Sequence, residues 1–401
     1  MEIEEAVNAL TGAVTPIKDR ELLPLREAFG RILAEGVKAP FSVPSFPKSA
    51  MDGYAVRSAD VADASGDAPV RLKVSGELLA GEAFSKAGWK GTDTAGTAFR
   101  VMTGAEVPAG YDAVVRQEDT DRGEEEVSVY RSVSPYMNYC RVGEDIREGE
   151  EVLSAGSRIG RIEAGVLASL GLAEVSVLRR IKVHIISTGT ELTEPGSALT
   201  EGKIYNSIAY TLEAALTDSC YEVSSEICGD ERDGIKTALE AALKDSDVVM
   251  TTGGVSVGKA DLLPEVLESI GAVKLFSRVN IQPGTPTIGS VKDGKAILSL
   301  SGNPYAAVAN FDIYFPELAA KLTGCGSLLP VTEKAVLDSP YEKVNHMRRL
   351  LRAKYRNGRV NLPVKSHASS VLSNLLECNC YIDLPAGTAV SPGDTVTVRI
   401  M

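Results

Sequence analysis

The stretch Asp247-Val-Val-Met-Thr-Thr-Gly-Gly-Val-Ser-Val-Gly258 joins an apolar run to a glycine-rich turn. An apolar run followed by a glycine-containing turn recurs at Lys182–Gly189 and at Ala296–Gly302. Helical periodicity between and after these runs predicts helices at Ser207–Leu216, Gly234–Leu243, Asp261–Ser269 and Tyr305–Leu322. This alternation predicts a doubly wound α/β domain over residues 180–325.

Three other regions flank this domain, so the chain is predicted to be multidomain, α/β and β. Residues 1–57 and 139–179 are predicted to form an N-terminal mixed domain, in which Arg26–Glu35 is expected to be a helix. Short alternating runs predict a β-rich domain inserted at 58–138. Alternating runs after residue 325 predict a small, barrel-like β domain over 326–401.

Composition narrows the class of protein. A formal net charge of −12 disfavours a nucleic-acid partner, because neutralising phosphates needs clustered Lys and Arg. No apolar run approaches the ~18 to 20 residues that span a bilayer, and the acidic start does not resemble a secretory signal. The six cysteines lack zinc-site spacing, so reduced thiols in a cytoplasmic enzyme are expected.

The glycine-rich turn after the Asp247 run is a candidate phosphate-binding element. Glycines let backbone N–H groups approach an anion, and a following helix N-terminus favours negative charge. Gly253, Gly254, Ser256 and Gly258 are its candidate contacts. The alternative is a tight strand-to-helix turn without a ligand. At Ser301-Gly-Asn-Pro304, ordinary helix capping by Asn303 accounts for the pattern.

Three carboxylates are expected near the same sheet edge. Glu191 and Asp230 follow apolar runs, and Asp261 follows the glycine-rich turn. Carboxylates beside a phosphate-binding turn suit Mg²⁺ shared with phosphate groups. The alternative is that Asp230 and Asp261 cap helices and that Glu191 is a solvated loop residue. Elsewhere, Asp52-Gly53 and Thr103-Gly104 are typical of hairpin turns.

Several blocks of the sequence resemble the signature blocks of one family, and they occur in that family's order. They are Ser49–Arg57, Arg100–Pro108, Gly143–Ile146, Ser187–Leu192, Gly253–Gly258 with Asp261, and Ser301–Pro304. The family is that of the molybdopterin molybdenumtransferases, which includes MoeA and the gephyrin E-domain. The resemblance extends from about residue 5 to residue 398.

This resemblance implies a four-domain homodimer that accepts adenylylated molybdopterin, inserts molybdate or tungstate and releases AMP with Mg²⁺. The adenylating enzyme is a possible partner. The family positions of functional weight correspond to Asp52, Thr103, Asp145, Glu191, Asp230 and Asp261. The resemblance implies that Glu191, Asp230 and Asp261 handle Mg²⁺ and phosphate, while Asp52 and Thr103 act from the partner subunit.

The sequence departs from the family where members hold the oxyanion. Gln282 and Thr285 stand where members typically carry lysines, and losing two charge-assisted bonds costs about 1.5–3 kcal/mol each. The remaining candidate contacts for the oxyanion and the cofactor are Gly302, Asn303, Arg278, Pro286, Arg348 or Arg349, and Ser369–Ser370. The alternative functions are a dimeric scaffold derived from the family, or a molybdopterin-binding protein without insertion activity.

Overall fold

A computed structural model describes residues 1–86, 94–255, 262–363 and 367–401. The chain divides into two compact units. The first comprises residues 1–35, 154–164 and 173–401, and the second comprises residues 36–153 and 165–172. The predicted limits of the four domains remain a proposal.

A six-stranded sheet forms the centre of the first unit. Its strands are β1 Ile181–Thr188, β2 Tyr221–Cys228, β3 Val248–Thr252, β4 Val273–Phe276, β5 Ile288–Lys292 and β6 Lys295–Leu300. They lie in the order β2-β1-β3-β6-β5-β4. The first four in this order are parallel, and β5 and β4 add antiparallel pairings at one edge. Every residue of β3 is buried, as expected for a strand covered on both faces.

Helices cover both faces of this sheet. The helices of the described residues are α1 Ile3–Ala13, α2 Arg161–Ser169, α3 Ser207–Ala215, α4 Arg232–Asp245, α5 Leu263–Ser269 and α6 Pro304–Thr323. Leu10 of α1, Leu212 of α3 and Leu318 of α6 share one apolar core. Leu239 of α4 and Val266 of α5 belong to the core on the opposite face. The predicted doubly wound domain is therefore confirmed. Within the described part of the chain, no helix has the length and apolar character needed to cross a membrane.

The carboxyl-terminal strands close into a small barrel, as predicted. They are Thr332–Leu337, Arg348–Arg356, Arg359–Asn361, Cys380–Leu384 and Thr395–Ile400. The ring closes because the long strand Arg348–Arg356 pairs with both Arg359–Asn361 and Cys380–Leu384. A short strand from the α/β region, Ile281–Gln282, joins the barrel by parallel pairing, so that Gln282 lies opposite Arg349.

The second unit is rich in β structure. Its five-stranded sheet has the order Ala113–Arg116, Gly53–Val56, Thr97–Val101, Val70–Leu78 and Glu126–Val129. Two short ladders accompany it, Val37–Lys38 with Glu151–Leu153 and Lys48–Ser49 with Tyr139–Cys140. The first unit also contains the two-stranded ladders Arg20–Pro24 with Glu174–Leu178 and Leu192–Thr193 with Ile204–Tyr205. Single 3₁₀ turns occur at Leu25–Glu27, Ser58–Val61, Phe84–Lys86, Gln117–Asp119, Gly326–Leu328 and Ser373–Glu377.

The prediction of a helix at Arg26–Glu35 is wrong. Only the 3₁₀ turn Leu25–Glu27 is helical, and Gly30 adopts a left-handed conformation with φ of +78°. Ile32 and Leu33 then form isolated antiparallel bridges to Arg158 and Val177. Backbone pairing with these distant segments therefore overrides the local helical pattern.

Candidate active site

Three strand ends meet at the carboxyl edge of the sheet. Gly253, with φ of +91°, donates its N–H to the carbonyl of Leu300 at 3.1 Å. A Cβ at Gly253 would lie 2.6 Å from the carbonyl oxygen of Thr188, and one at Gly302 would lie 3.5 Å from the Cα of Gly253. The turns after β1, β3 and β6 are therefore packed backbone against backbone, and at Gly253 only glycine permits this approach.

A buried chain of hydroxyl and amide groups supports these turns. Thr252 Oγ1 donates to Ser187 Oγ at 3.2 Å, and Ser187 Oγ donates to Asn206 Oδ1 at 3.2 Å. Asn206 also accepts the N–H of Ala209 and so caps α3. The supporting roles of Ser187 and Asn206 were not predicted from the sequence. The Asn206-Ser207 pair before a predicted helix was the available signal.

Two of the predicted carboxylates flank the turn after β1. Asp230 Oδ2 accepts the backbone N–H of Thr190 at 2.8 Å. The Glu191 carboxylate lies close to Gly189, where a Cβ would be 2.6 Å from Glu191 Oε2. Lys203 Nζ donates to the carbonyl of Thr190. The structure thus brings two exposed carboxylates and one ammonium to a single turn.

Asp261, Ser256 and Gly258 lie outside the described residues. Among residues 1–86, 94–255, 262–363 and 367–401, no group of three or more His, Cys, Asp or Glu side chains forms a metal site. The oxygen ligands of Glu191 and Asp230 nevertheless suit Mg²⁺, which is commonly held by one or two carboxylates together with phosphate oxygens.

A cleft of about 630 Å³ lies between the end of β6 and the barrel. Its walls include Gln282, Pro286, Ser301, Asn303, Arg349 and His367. Asn303 occupies the N-cap position of α6 without a side-chain capping hydrogen bond. The expectation that capping accounts for Asn303 is therefore wrong, because its side chain makes no capping hydrogen bond, and the residue lines the cleft.

Arg349 is the most deeply placed cation of this cleft. Its relative exposure is 8%, and its Nη1 donates to Gln282 Oε1 at 2.9 Å and to Asn345 Oδ1 at 3.4 Å. Its Nε is buried and has no hydrogen-bond partner among the described residues. The Tyr341 ring centre lies 5.9 Å from the guanidinium carbon. A buried guanidinium with spare donors is suited to binding an anion.

The other predicted cation contacts lie elsewhere. Arg348 binds Asp383 through Nε at 2.7 Å and Glu4 through Nη1 at 2.7 Å, because side chains alternate between the faces of a strand. Arg278 is exposed and does not line the cleft. Of the serine pair, Ser369 lines the cleft and Ser370 is exposed.

Thr285 lines the cleft, but its hydroxyl donates to the carbonyl of Ile281 at 2.6 Å. That proton is therefore already used within the turn that precedes Pro286. Gln282 is the neighbouring polar side chain. Its oxygen receives the bond from Arg349, and its amide N–H₂ group has no partner within the part of the chain that the structure describes.

His367 lines the cleft, and this role was not predicted from the sequence. Burial lowers its pKa to about 4, helped by the positive charges of Arg352 and Arg349, so the ring is neutral at pH 7. Its Nδ1 is buried without a partner among the described residues. The sequence offers no signal for this role beyond the proximity of His367 to Ser369.

Asp52 and Thr103 meet within the second unit. Asp52 Oδ1 accepts both the N–H and the hydroxyl of Thr103, each at 2.7 Å. These two hydrogen bonds lower the pKa of Asp52 below its ordinary value, so its carboxylate is ionised at neutral pH. Asp145, also in the second unit, is exposed, and its N–H donates to the carbonyl of Val43 at 3.1 Å.

Comparison with known proteins covers nearly the whole chain. Residues 1–171 match the MoeA N-terminal region (domain I and II), residues 184–320 a probable molybdopterin binding domain, and residues 334–400 the MoeA C-terminal region (domain IV). A molybdopterin molybdenumtransferase of Staphylococcus epidermidis is 35% identical over 394 residues, which cover 97% of this chain and 92% of the relative. One of Haemophilus influenzae is 35% identical over 387 residues, covering 94% and 93%.

A solved structure agrees with these matches. The molybdopterin biosynthesis MoeA protein of Pyrococcus horikoshii OT3 superimposes with a TM-score of 0.86 at 31% identity and covers 100% of both chains. The resemblance recognised in the signature blocks is confirmed. The chain belongs to the MoeA family of molybdopterin molybdenumtransferases.

Proposed function

We propose that this protein inserts molybdate, or tungstate, into adenylylated molybdopterin with release of AMP in a Mg²⁺-dependent reaction. Family membership supports a transferase of molybdenum cofactor biosynthesis. The observation that carries the finer proposal is the cleft beside Ser301 and Asn303, in which Arg349 is buried and has no carboxylate partner among the described residues. A buried cation without a counter-charge is costly, and an oxyanion would remove that cost.

The cleft residues bind and orient the oxyanion. Arg349 supplies the fixed positive charge, and the free amide hydrogens of Gln282 supply neutral donors. His367 is neutral, so it offers a hydrogen-bonding nitrogen without adding charge. Pro286 and Ser301 complete the wall, which limits the size of the ligand.

The turns at the carboxyl edge of the sheet bind the phosphate end of the substrate. Backbone N–H groups at Gly254 and Gly302 can approach phosphate oxygens closely, since these residues have no side chain, whereas the N–H of Gly253 is already bonded to the carbonyl of Leu300. Glu191 and Asp230, with Asp261, would hold Mg²⁺, which supplies neutralisation of phosphate charge when bound. Asp230 also orients the Thr190 N–H, and so fixes the turn that carries Glu191.

The protein acts as a homodimer in this proposal. Asp52 and Thr103 form a pre-ordered carboxylate–hydroxyl pair in the second unit. Following the family resemblance, Asp52 of the partner subunit and Thr103 of the partner subunit would complete the site. The adenylating enzyme is the proposed supplier of the substrate, and the reaction is proposed to take place in the cytoplasm.

The decisive experiment measures AMP release. The protein is incubated with adenylylated molybdopterin and Mg²⁺, with molybdate, tungstate or sulfate, and both AMP and molybdenum cofactor are quantified. We expect AMP release to depend on molybdate or tungstate and sulfate to be inactive. AMP release that ignores millimolar oxyanion would contradict the transferase proposal and favour a scaffold or a molybdopterin-binding protein.

A further inference from the structure

Gln282 and Arg349 face each other across two paired strands. Their backbones are register partners in the parallel pairing of Ile281–Gln282 with the barrel strand Arg348–Arg356. Register partners present their side chains on the same face, and here Gln282 Oε1 accepts Arg349 Nη1 at 2.9 Å. The contact is therefore built by the backbone pairing and does not depend on a loop.

The partners of Arg349 differ from those of three other arginines, although the fully buried Arg352 likewise donates to uncharged oxygens, the carbonyls of Val371 and Ala368. Arg31, Arg179 and Arg348 are also buried or partly buried, and each binds a carboxylate. Arg349 forms no ion pair in the described parts of the chain and instead bonds two amide oxygens, those of Gln282 and Asn345. Amide partners orient a guanidinium while leaving its charge uncompensated.

We propose that Gln282 is a positioning and specificity-determining residue, which holds Arg349 for an oxyanion and donates its own amide hydrogens to the same ligand. This inference rests on the proposed oxyanion site. A glutamine can accept from Arg349 and donate to an anion at once, whereas a lysine at this position would only donate. Recognition in this chain therefore relies on directed hydrogen bonds around the buried charge of Arg349, with the exposed Lys343 as a further cation of the cleft wall.

Asn310 and Tyr305 keep the two strands in place around this pair. Asn310 Nδ2 donates to the carbonyl of Gly284 at 3.1 Å, which fixes the turn after Gln282. Tyr305 Oη donates to the carbonyl of Leu350 at 2.8 Å and accepts the N–H of Arg352 at 3.0 Å, which fixes the strand after Arg349. Both supports come from α6, so a single helix aligns the positioning residue with the arginine.

The test measures binding of molybdate and tungstate to the full-length protein by titration calorimetry, without the organic substrate. Gln282→Met keeps the size but removes the acceptor and the donors, and we expect Kd to rise roughly tenfold or more. Gln282→Glu keeps the shape but neutralises Arg349, so its loss should exceed that of Gln282→Met. Arg356→Gln removes one exposed charge from the same strand and should change Kd by less than about twofold.

A second measurement separates positioning from general structural support. In the AMP-release assay, Gln282→Met should raise the KM for the oxyanion much more than it lowers kcat, with the thermal midpoint maintained. If Gln282→Met lowers the thermal midpoint, its loss of binding could reflect a damaged fold. The oxyanion Kd of the isosteric variant Gln282→Glu then becomes the sole test of the inference. The inference is overturned if Gln282→Glu binds oxyanion within about twofold of the unmodified protein.

A different set of results would refute the proposed function itself. Arg349→Gln removes the charge itself, so unchanged oxyanion binding in that variant would refute the oxyanion site and the role of Gln282 with it. The same conclusion holds if the unmodified protein binds neither molybdate nor tungstate. A strong effect of Arg349→Gln with none for Gln282→Glu would refute only the role of Gln282.

Discussion

Arg348 and Arg349 are consecutive residues whose side chains serve opposite faces of one barrel strand. Arg348 binds Asp383 and Glu4, whereas Arg349 lies in the cleft beside Gln282. One arginine is therefore held by carboxylates within the fold, and the next keeps its charge available to a ligand. The two substitutions should have different consequences.

Arg348→Gln should lower the free energy of unfolding by about 1–2 kcal/mol, because it leaves Asp383 partly buried without its cation. Arg349→Gln should instead weaken oxyanion binding by roughly tenfold or more. Urea denaturation and titration calorimetry of both variants check this division. A larger stability loss in Arg349→Gln than in Arg348→Gln would contradict it.

Asp230→Asn tests the carboxylate next to Thr190. The amide oxygen can still accept the Thr190 N–H, so the turn should persist while the negative charge is lost. We expect AMP release to fall roughly a hundredfold or more, with the thermal midpoint nearly unchanged. Asp233→Asn, on an exposed residue in the first turn of α4, is the matched control and should retain activity. Full activity in Asp230→Asn would remove Asp230 from the site.

Gly253→Ala tests the close packing of the three turns. The residue has φ of +91°, and the new Cβ would lie 2.6 Å from the carbonyl oxygen of Thr188. We expect a loss of about 1–3 kcal/mol in stability together with reduced activity. Gly12→Ala, within α1 and without neighbours inside 4 Å, should instead be neutral or stabilise by up to about 1 kcal/mol. Thermal or urea unfolding compares the pair.

Asp312 predicts a pH dependence of stability. Burial raises its pKa from 3.8 to about 6, while the hydrogen bond from Tyr381 at 2.6 Å and the charge of Arg399 oppose this shift. Between these two pKa values the native state keeps the proton that the unfolded chain has lost. The contribution of Asp312 to stability is therefore fully present below about pH 4, and up to about 3 kcal/mol of it is lost as pH rises through 6.

Asp312→Asn should remove this decrease and stabilise the protein at pH 7 to 8, as urea unfolding from about pH 4 to 8 would show. Asp338→Asn is an informative control, because the Arg359 hydrogen bond lowers the pKa of Asp338 and its contribution has the opposite sign. An identical pH profile in Asp312→Asn and the unmodified protein would show that Asp312 is not the group responsible.

The repetitive parts of the fold could be predicted from the sequence. Runs such as Val248–Thr252 are apolar on both faces and end in glycine turns, a pattern that few architectures other than a parallel sheet satisfy. The segment Arg26–Glu35 could not be predicted, because its distant partners Arg158 and Val177 decide its conformation. Local propensity has no access to such pairings.

The candidate site also contains residues that could be predicted from the sequence and residues that could not. The glycines of the turns and the carboxylates Glu191 and Asp230 follow strand ends, so chain order alone brings them to one sheet edge. The choice between Arg348 and Arg349 depends on the phase of one strand, which differs by a single residue. His367 lies on an irregular segment, where no periodicity indicates the direction of its side chain.

The strand Ile281–Gln282 bears on how parts of such proteins can be exchanged. It comes from the region that matches the molybdopterin binding domain, yet it hydrogen-bonds to the barrel. A chimera that joins the barrel of a relative after residue 326 would leave this strand facing a foreign edge. Recombination, in the laboratory or in evolution, should therefore give a folded protein most often when residues 281–286 are exchanged together with the barrel. The unit that must be exchanged as a whole therefore comprises two separate segments of the gene, although these segments are in contact in the folded protein.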